Sequence, residues 1–242
     1  MSDGRAEVLD GRGTPTGSRS GSDRRGTTRP KGLDMQFAIV LYPGFTSLDV
    51  LGPYEVLGRL PDAEVVFVAD EPGLVRNDLG SLSIDVVATL ADVTAPDVVV
   101  VGGGPGQLEQ MSNTGLHEWL RTVDRNSAWT TSVCTGSLLL AAAGLLDGRR
   151  ATTHWAGLDQ LAGFGVTPSK QRVVIDGHYA TAAGVSAGID MALTLAGLIA
   201  GDDVAQAVQL VIEYAPEPPY DAGSVDSAPA AVVESAMSKL SG

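Results

Sequence analysis

A mostly parallel β-sheet covered by helices on both faces is the α/β fold this sequence predicts, on three observations. From Met35 onward, short runs rich in Val, Ile and Phe alternate with amphipathic stretches, the βα order of a parallel sheet. One run, Asp97 to Val101, is continuously apolar after its first residue, as a strand buried on both sides must be. Composition agrees: 44% hydrophobic and 19% charged residues suit a globular chain, and 30 glycines beside only 5% aromatics suit closely packed helices on a β-branched sheet.

The elements follow in order. Residues 1–34 are rich in Gly, Ser, Thr, Arg and Asp with almost no apolar periodicity, which predicts a flexible leader; residues 35–242 read as a single α/β domain. Strands are expected at Gln36–Tyr42, Ala63–Ala69, Leu82–Val87, Asp97–Val101, Ala128–Val133 and Ala151–Thr153. Between them, helices are expected at Leu48–Leu60, Gln107–Asp124 and Ser137–Leu146. Asp176-Gly177 then predicts a two-residue turn joining Arg172–Ile175 to His178–Ala183 as an antiparallel pair. Ala187–Ala200, rich in Ala and Gly, reads as a buried helix, followed by a second at Asp203–Tyr214. Pro216, Pro218 and Pro219 force an extended segment before a last short helix at Pro229–Leu240.

Charge and cysteine usage exclude several functions. The formal charge is -13, and because residues 1–34 hold seven of the 16 basic and five of the 29 acidic residues, the remainder carries -15. Nucleic acid and anionic membrane surfaces would be repelled. Pro229–Leu240 is also too short for a helix-turn-helix region. One cysteine cannot form an internal disulfide, and no run of about 18 apolar residues offers a membrane span. Arg24-Arg25 lacks the apolar stretch of an export signal, so a cytoplasmic protein acting on small molecules is expected.

The cysteine itself stands where the strand run Ala128–Val133 turns without a loop into the small-residue helix pattern from Thr135. A sharp strand-to-helix turn pushes one side chain outward, and a helix N-terminus favours the thiolate. Cys134 is therefore a candidate nucleophile, the alternative being a buried small hydrophobe. Gly102-Gly103-Gly104-Pro105-Gly106 follows the apolar strand. It fails as a dinucleotide fingerprint because Gln107 stands where G-x-G-x-x-G needs glycine. The N–H groups of Gly103 and Gly104 are instead candidate oxyanion donors, against the plainer reading of a glycine turn. Asp49, just after the first strand, is either a helix-dipole partner or, if buried beside the thiol, a general acid and base. His117, His154 and His178 are far apart without metal-ligand companions, so no metal site is expected. His117 reads as a helix-surface residue and His178 as a strand residue. His154, at a strand end, is as consistent with a packed role as with one near Cys134.

Together these residues resemble the ThiJ/PfpI superfamily from about Met35 to Leu240. The shared marks are Leu48-Asp49-Val50-Leu51-Gly52-Pro53, Gly103-Gly104, Thr131-Ser132-Val133-Cys134-Thr135-Gly136-Ser137, Arg150-Ala151-Thr152-Thr153-His154-Trp155 and Glu213-Tyr214-Ala215-Pro216. Within the superfamily they are most similar to the isonitrile hydratases, and also to transcription regulators carrying the same domain. The resemblance implies a flavodoxin-like sandwich, a homodimer, no cofactor, and hydration of an isonitrile to an N-substituted formamide. It implies catalytic roles for Cys134, Asp49 and Thr135. Thr135 stands where the protease-like branch has histidine, and Gly102 replaces the proline that commonly precedes the paired glycines. Other thiol chemistries of the superfamily, glyoxalase-like or amidase-like, and a ligand-sensing role are the rival implications.

Overall fold

A computed structural model of the chain describes residues 35–240, so the leader expected over residues 1–34 lies outside the described residues. In order, the elements are β1 (Met35–Val40), α1 (Ser47–Leu57), β2 (Ala63–Ala69), β3 (Gly73–Arg76), β4 (Ser83–Val86), β5 (Ala88–Thr89), β6 (Val98–Val101), α2 (Gln107–Gln110), α3 (Thr114–Asp124), β7 (Trp129–Val133) and α4 (Gly136–Ala142). There follow β8 (Arg150–Ala151), a 3-10 turn at Trp155–Gly157, α5 (Leu158–Ala162), β9 (Thr167–Pro168), β10 (Val173–Asp176), β11 (Tyr179–Ala182), α6 (Ala187–Ala200), α7 (Asp202–Val211) and α8 (Ala230–Leu240).

Seven strands form the main sheet in the order β10-β11-β7-β6-β1-β2-β5, with every pairing parallel except the β10–β11 hairpin. The four valines of β6 are fully buried at its centre, as the apolar run predicted. Helix α1 packs on α6 and α6 on α7, while α4 contacts α2, α3 and α5, so helices cover the sheet on both faces. Small residues set the α1–α6 spacing: a side chain at Gly52 would meet Ile189 at 3.1 Å, and one at Gly188 would meet Pro53 at 3.2 Å.

The chain steps from β1 to β2 on one side, then crosses to β6 on the other. At such a reversal of strand order a crevice opens beyond the carboxyl ends of the strands. The segments leaving β11, β7, β6 and β1 are neighbours there, because Ala182 pairs with Val133, Ser132 with Val101, and Val101 with Val40.

Several expectations shift. The helix expected over Gln107–Asp124 is two, because Asn113 is extended and its side chain accepts from the Leu116 N–H, capping α3. The strand expected at Leu82–Val87 pairs antiparallel with β3 outside the main sheet, whose edge is the two-residue β5. No helix separates β2, β3 and β4, so this stretch is not a βα unit. The Ala151–Thr153 run is reduced to β8, which pairs with β9 in a sheet of its own. In the hairpin the last pair is Asp176 with Tyr179, so the turn residues are Gly177 and His178, one position later than expected. His178 is thus in a turn rather than a strand, its Nε2 3.0 Å from Asp124 Oδ1. His117 is buried, not on the helix surface, because it flanks the inward face of α3 formed by Leu116, Trp119, Leu120 and Val123.

Candidate active site

The elbow after β7 is as sharp as its sequence suggested. Cys134 adopts a left-handed φ of 57°, a conformation that costs a non-glycine residue about 1–3 kcal/mol and persists only where the surroundings enforce it. The enforcing bonds are visible. The Cys134 N–H donates to the carbonyls of Ala182 and Ala183, both at 3.1 Å. Its own carbonyl accepts from the hydroxyls of Thr153 at 3.0 Å and Ser137 at 3.2 Å. Gly136, two residues on, is required, since a Cβ there would lie 2.1 Å from the Val101 carbonyl oxygen.

Asp49 enters from the first turn of α1 and is fully buried. Its Oδ2 accepts from the Gly103 N–H at 2.8 Å, and the Gly104 N–H donates to Thr135 Oγ1 at 3.1 Å. The two amides expected to face an oxyanion are therefore engaged within the protein, orienting the acid and the threonine. The backbone N–H groups that interact with the thiol are those of Thr135 and Val185. Val185, itself at a φ of 31°, has no signal in the sequence: only the parallel pairing of β11 with β7 carries it to the elbow.

Burial governs the protonation of the pair. It pushes the Asp49 carboxyl up from 3.8 to about 7, opposed by the Gly103 N–H and the Cys134 side chain, with the charge of Asp78 adding to the rise. The Cys134 thiol is pushed up to about 12 by burial and then by the neighbouring Asp49 charge, which outweigh the Thr135 and Val185 amides. The expected lowering of the thiol by a helix N-terminus does not prevail, because burial and the Asp49 charge raise it further. The resting thiol therefore keeps its proton on sulfur.

Tyr42, at the end of β1, was not singled out by the sequence. Its buried hydroxyl donates to the Gly102 carbonyl at 2.7 Å, and its phenol is pushed well above the ordinary value by burial and by the charges of Asp49 and Cys134.

Beside the elbow opens a cavity of about 390 Å³ whose walls include Leu48, Thr153, His154, Trp155, Arg172 and Val185. His154 lies against Gly184, where a Cβ would come within 2.5 Å of its ring, and its Nδ1 accepts from the Ala156 N–H at 3.3 Å. Burial lowers its pKa, favouring the neutral ring. The cations of this cavity are paired, Arg172 with Asp190 at 2.6 Å and Lys170 with Asp226 at 3.2 Å, so its walls suit an uncharged ligand. A wider apolar groove of about 530 Å³, lined by Arg59, Val208 and Val211 among others, shares no residue with it. Among the described residues no helix is long and apolar enough to cross a membrane.

Known proteins resemble this chain in sequence and in fold. Isonitrile hydratase of Pseudomonas putida is 46% identical over 207 residues, covering 86% of this chain and 90% of that one. The helix-turn-helix transcriptional regulator CdhR of Pseudomonas aeruginosa is 32% identical over 72% of this chain, which matches only 53% of the regulator. Among solved structures, a ThiJ/PfpI family protein of Pseudomonas syringae superposes with a TM-score of 0.81 at 40% identity, over 86% of both chains. Drosophila melanogaster DJ-1beta shares the fold at a TM-score of 0.70 and 23% identity, over 76% of this chain and 100% of that one. A profile of the DJ-1/PfpI family matches residues 35–197, and the chain belongs to that family.

Proposed function

We propose that this chain is a cofactor-free isonitrile hydratase, with Cys134 as nucleophile and Asp49 as general acid and base. The observation that carries the reading is the buried Asp49–Cys134 pair, with the carboxyl near 7 and the thiol near 12. A carboxyl poised near neutrality can take the thiol proton and return it within one cycle. The likeness to the Pseudomonas putida enzyme across nearly the full length of both chains points to the same chemistry.

In the first step Cys134 Sγ forms a bond to the terminal carbon of the isonitrile while its proton passes to Asp49. Asp49 then delivers that proton to the same carbon, giving a thioimidate, R–N=CH–S–Cys134. In the second step water adds to this carbon as Asp49 accepts its proton and passes it to the imine nitrogen. The carbon–sulfur bond breaks, the hydroxyl oxygen becomes the formyl oxygen, and its proton restores the thiol. One water is consumed and no electrons change hands, so the reaction needs no redox partner. The amides of Thr135 and Val185 steady charge on sulfur, while Gly103 and Gly104 hold Asp49 and Thr135 in place. The adjoining cavity, with His154 on its wall, takes the N-substituent. We further propose that the chain works as a homodimer in the cytoplasm.

Incubation with cyclohexyl isocyanide, with N-cyclohexylformamide followed by chromatography, tests the proposal. Wild type is expected to form it, Cys134→Ala not at all, and Asp49→Asn at a small fraction of the rate. Absence of product from wild type, or full activity in Cys134→Ala, refutes it. The likeness to a transcriptional regulator favours a second reading, a sensing domain that binds the same small molecules without turnover. Saturable isocyanide binding with no formamide would select that reading.

A further inference from the structure

The geometry points to Tyr42 as a positioning residue for Asp49, acting through one peptide group: its hydroxyl holds the carbonyl of the Gly102–Gly103 peptide whose N–H holds the Asp49 carboxylate. The two bonds are 2.7 Å, from Tyr42 Oη to the Gly102 oxygen, and 2.8 Å, from the Gly103 nitrogen to Asp49 Oδ2. This role rests on the reading of Asp49 as the proton carrier.

The glycine loop cannot orient that peptide by itself. Gly102, Gly103 and Gly104 have no side chains, and Gly103 has no room for one. The loop is held from outside, by the Thr46 N–H donating to the Gly103 carbonyl at 2.9 Å, by Thr135 Oγ1 at the Gly104 N–H, and by Tyr42 at the Gly102 carbonyl. A phenol that is 3% exposed needs an acceptor, and many carbonyls in a folded chain would serve. The one it takes belongs to the peptide that faces the catalytic carboxyl.

The consequence is electronic as well as steric. A donor on a carbonyl polarises its amide, so the N–H at the other end becomes a stronger donor, by about 10–30% per bond in condensed-phase estimates. A stronger donor favours the charged carboxylate. Tyr42 thus opposes the burial that pushes Asp49 toward its neutral form. The other groups facing Asp49 are Cys134 from the elbow and Asp78 from the segment after β3. Tyr42→Phe removes the bond to the Gly102 carbonyl while leaving Cys134 and Asp78 in place.

The test is the titration of Asp49 itself, read by carbon-13 NMR of the side-chain carboxyl in protein labelled at Asp and assigned with Asp49→Asn. Tyr42→Phe removes the donor, and the Asp49 midpoint is expected to rise by about half a pH unit. Site-specific 3-fluorotyrosine at position 42 keeps the ring in place and makes its hydroxyl a stronger donor, so the midpoint is expected to fall. In both proteins the acid limb of kcat/KM should move with the midpoint. If Tyr42→Phe does not fold, as judged by near-ultraviolet circular dichroism, the fluorotyrosine protein decides alone. An Asp49 midpoint identical to wild type in the folded proteins overturns the proposal and leaves Tyr42 as packing only. Because this readout needs no isonitrile, it can fail while formamide is still produced, and it can succeed if no formamide is found.

Discussion

Asp49 Oδ2 accepts from the Gly103 N–H at 2.8 Å, and a Cβ on Gly103 would stand 3.0 Å from that same oxygen. The same Cβ would lie 2.5 Å from both the nitrogen and Oγ1 of Thr135. One atom at position 103 would therefore press on the acid, the threonine and the elbow together. Gly103→Ala is expected to lower kcat/KM at least about tenfold, since small misplacements of reacting groups cost that much or more. Its stability loss should be about 1–3 kcal/mol, that of an overpacked interior. Isocyanide turnover and urea unfolding measured on one preparation check both.

Asp49 makes stability fall with rising pH. Its folded value of about 7 lies above the ordinary 3.8, so the native state binds the proton more tightly than the unfolded chain does. The contribution is fully present below about pH 4 and is lost as pH rises to about 7, a loss of up to about 4 kcal/mol. Asp49→Asn removes this slope while keeping an oxygen for the Gly103 N–H. The variant is expected to be more stable than wild type at pH 8 by urea unfolding, and slower by a hundred- to ten-thousandfold, about the usual worth of a general acid–base group.

Cys134 should be a thiol, not a thiolate, in the resting protein. Its value of about 12 arises from burial first and the Asp49 charge second, so no ultraviolet thiolate absorbance is expected at pH 8. Removing the charge in Asp49→Asn should move the thiol titration downward. A wild-type protein already ionised at neutral pH would contradict the picture of a thiol deprotonated by Asp49 during attack.

The Thr135 hydroxyl oxygen accepts from the Gly104 N–H at 3.1 Å. Thr135→Val keeps the shape but leaves that amide without its partner, a loss of about 1–3 kcal/mol, with turnover expected to fall about tenfold. Thr135→Ser keeps the acceptor and should retain most activity. Equal rates in the two variants would assign Thr135 to packing.

Much of the sheet was legible because its strands announce themselves locally. Val98–Val101 is an apolar run, Ala63–Ala69 is a β-branched stretch of the length a strand needs, and Ala187–Ala200 is a helix by composition alone. The failures fall where pairing partners decide. The Ser83–Val86 segment has the same local character as a sheet strand, but with no crossover helix before it, it folds back on Gly73–Arg76. His117 looked exposed because its place on α3 depends on how that helix rotates onto the sheet, a property of packing rather than of the neighbouring residues.

The sequence by itself determined the βα frame, the elbow at Cys134 and the presence of Asp49, Thr135 and a glycine loop at strand ends. These depend on residues adjacent in the chain, whose size and flexibility set the local backbone. Only the tertiary structure decided what the glycine amides do, that Val185 and Tyr42 join the site, and that burial raises the thiol instead of a helix end lowering it. Each of those outcomes depends on which strand lies beside which, and on how much water remains once four strand ends have closed around one carboxylate and one sulfur.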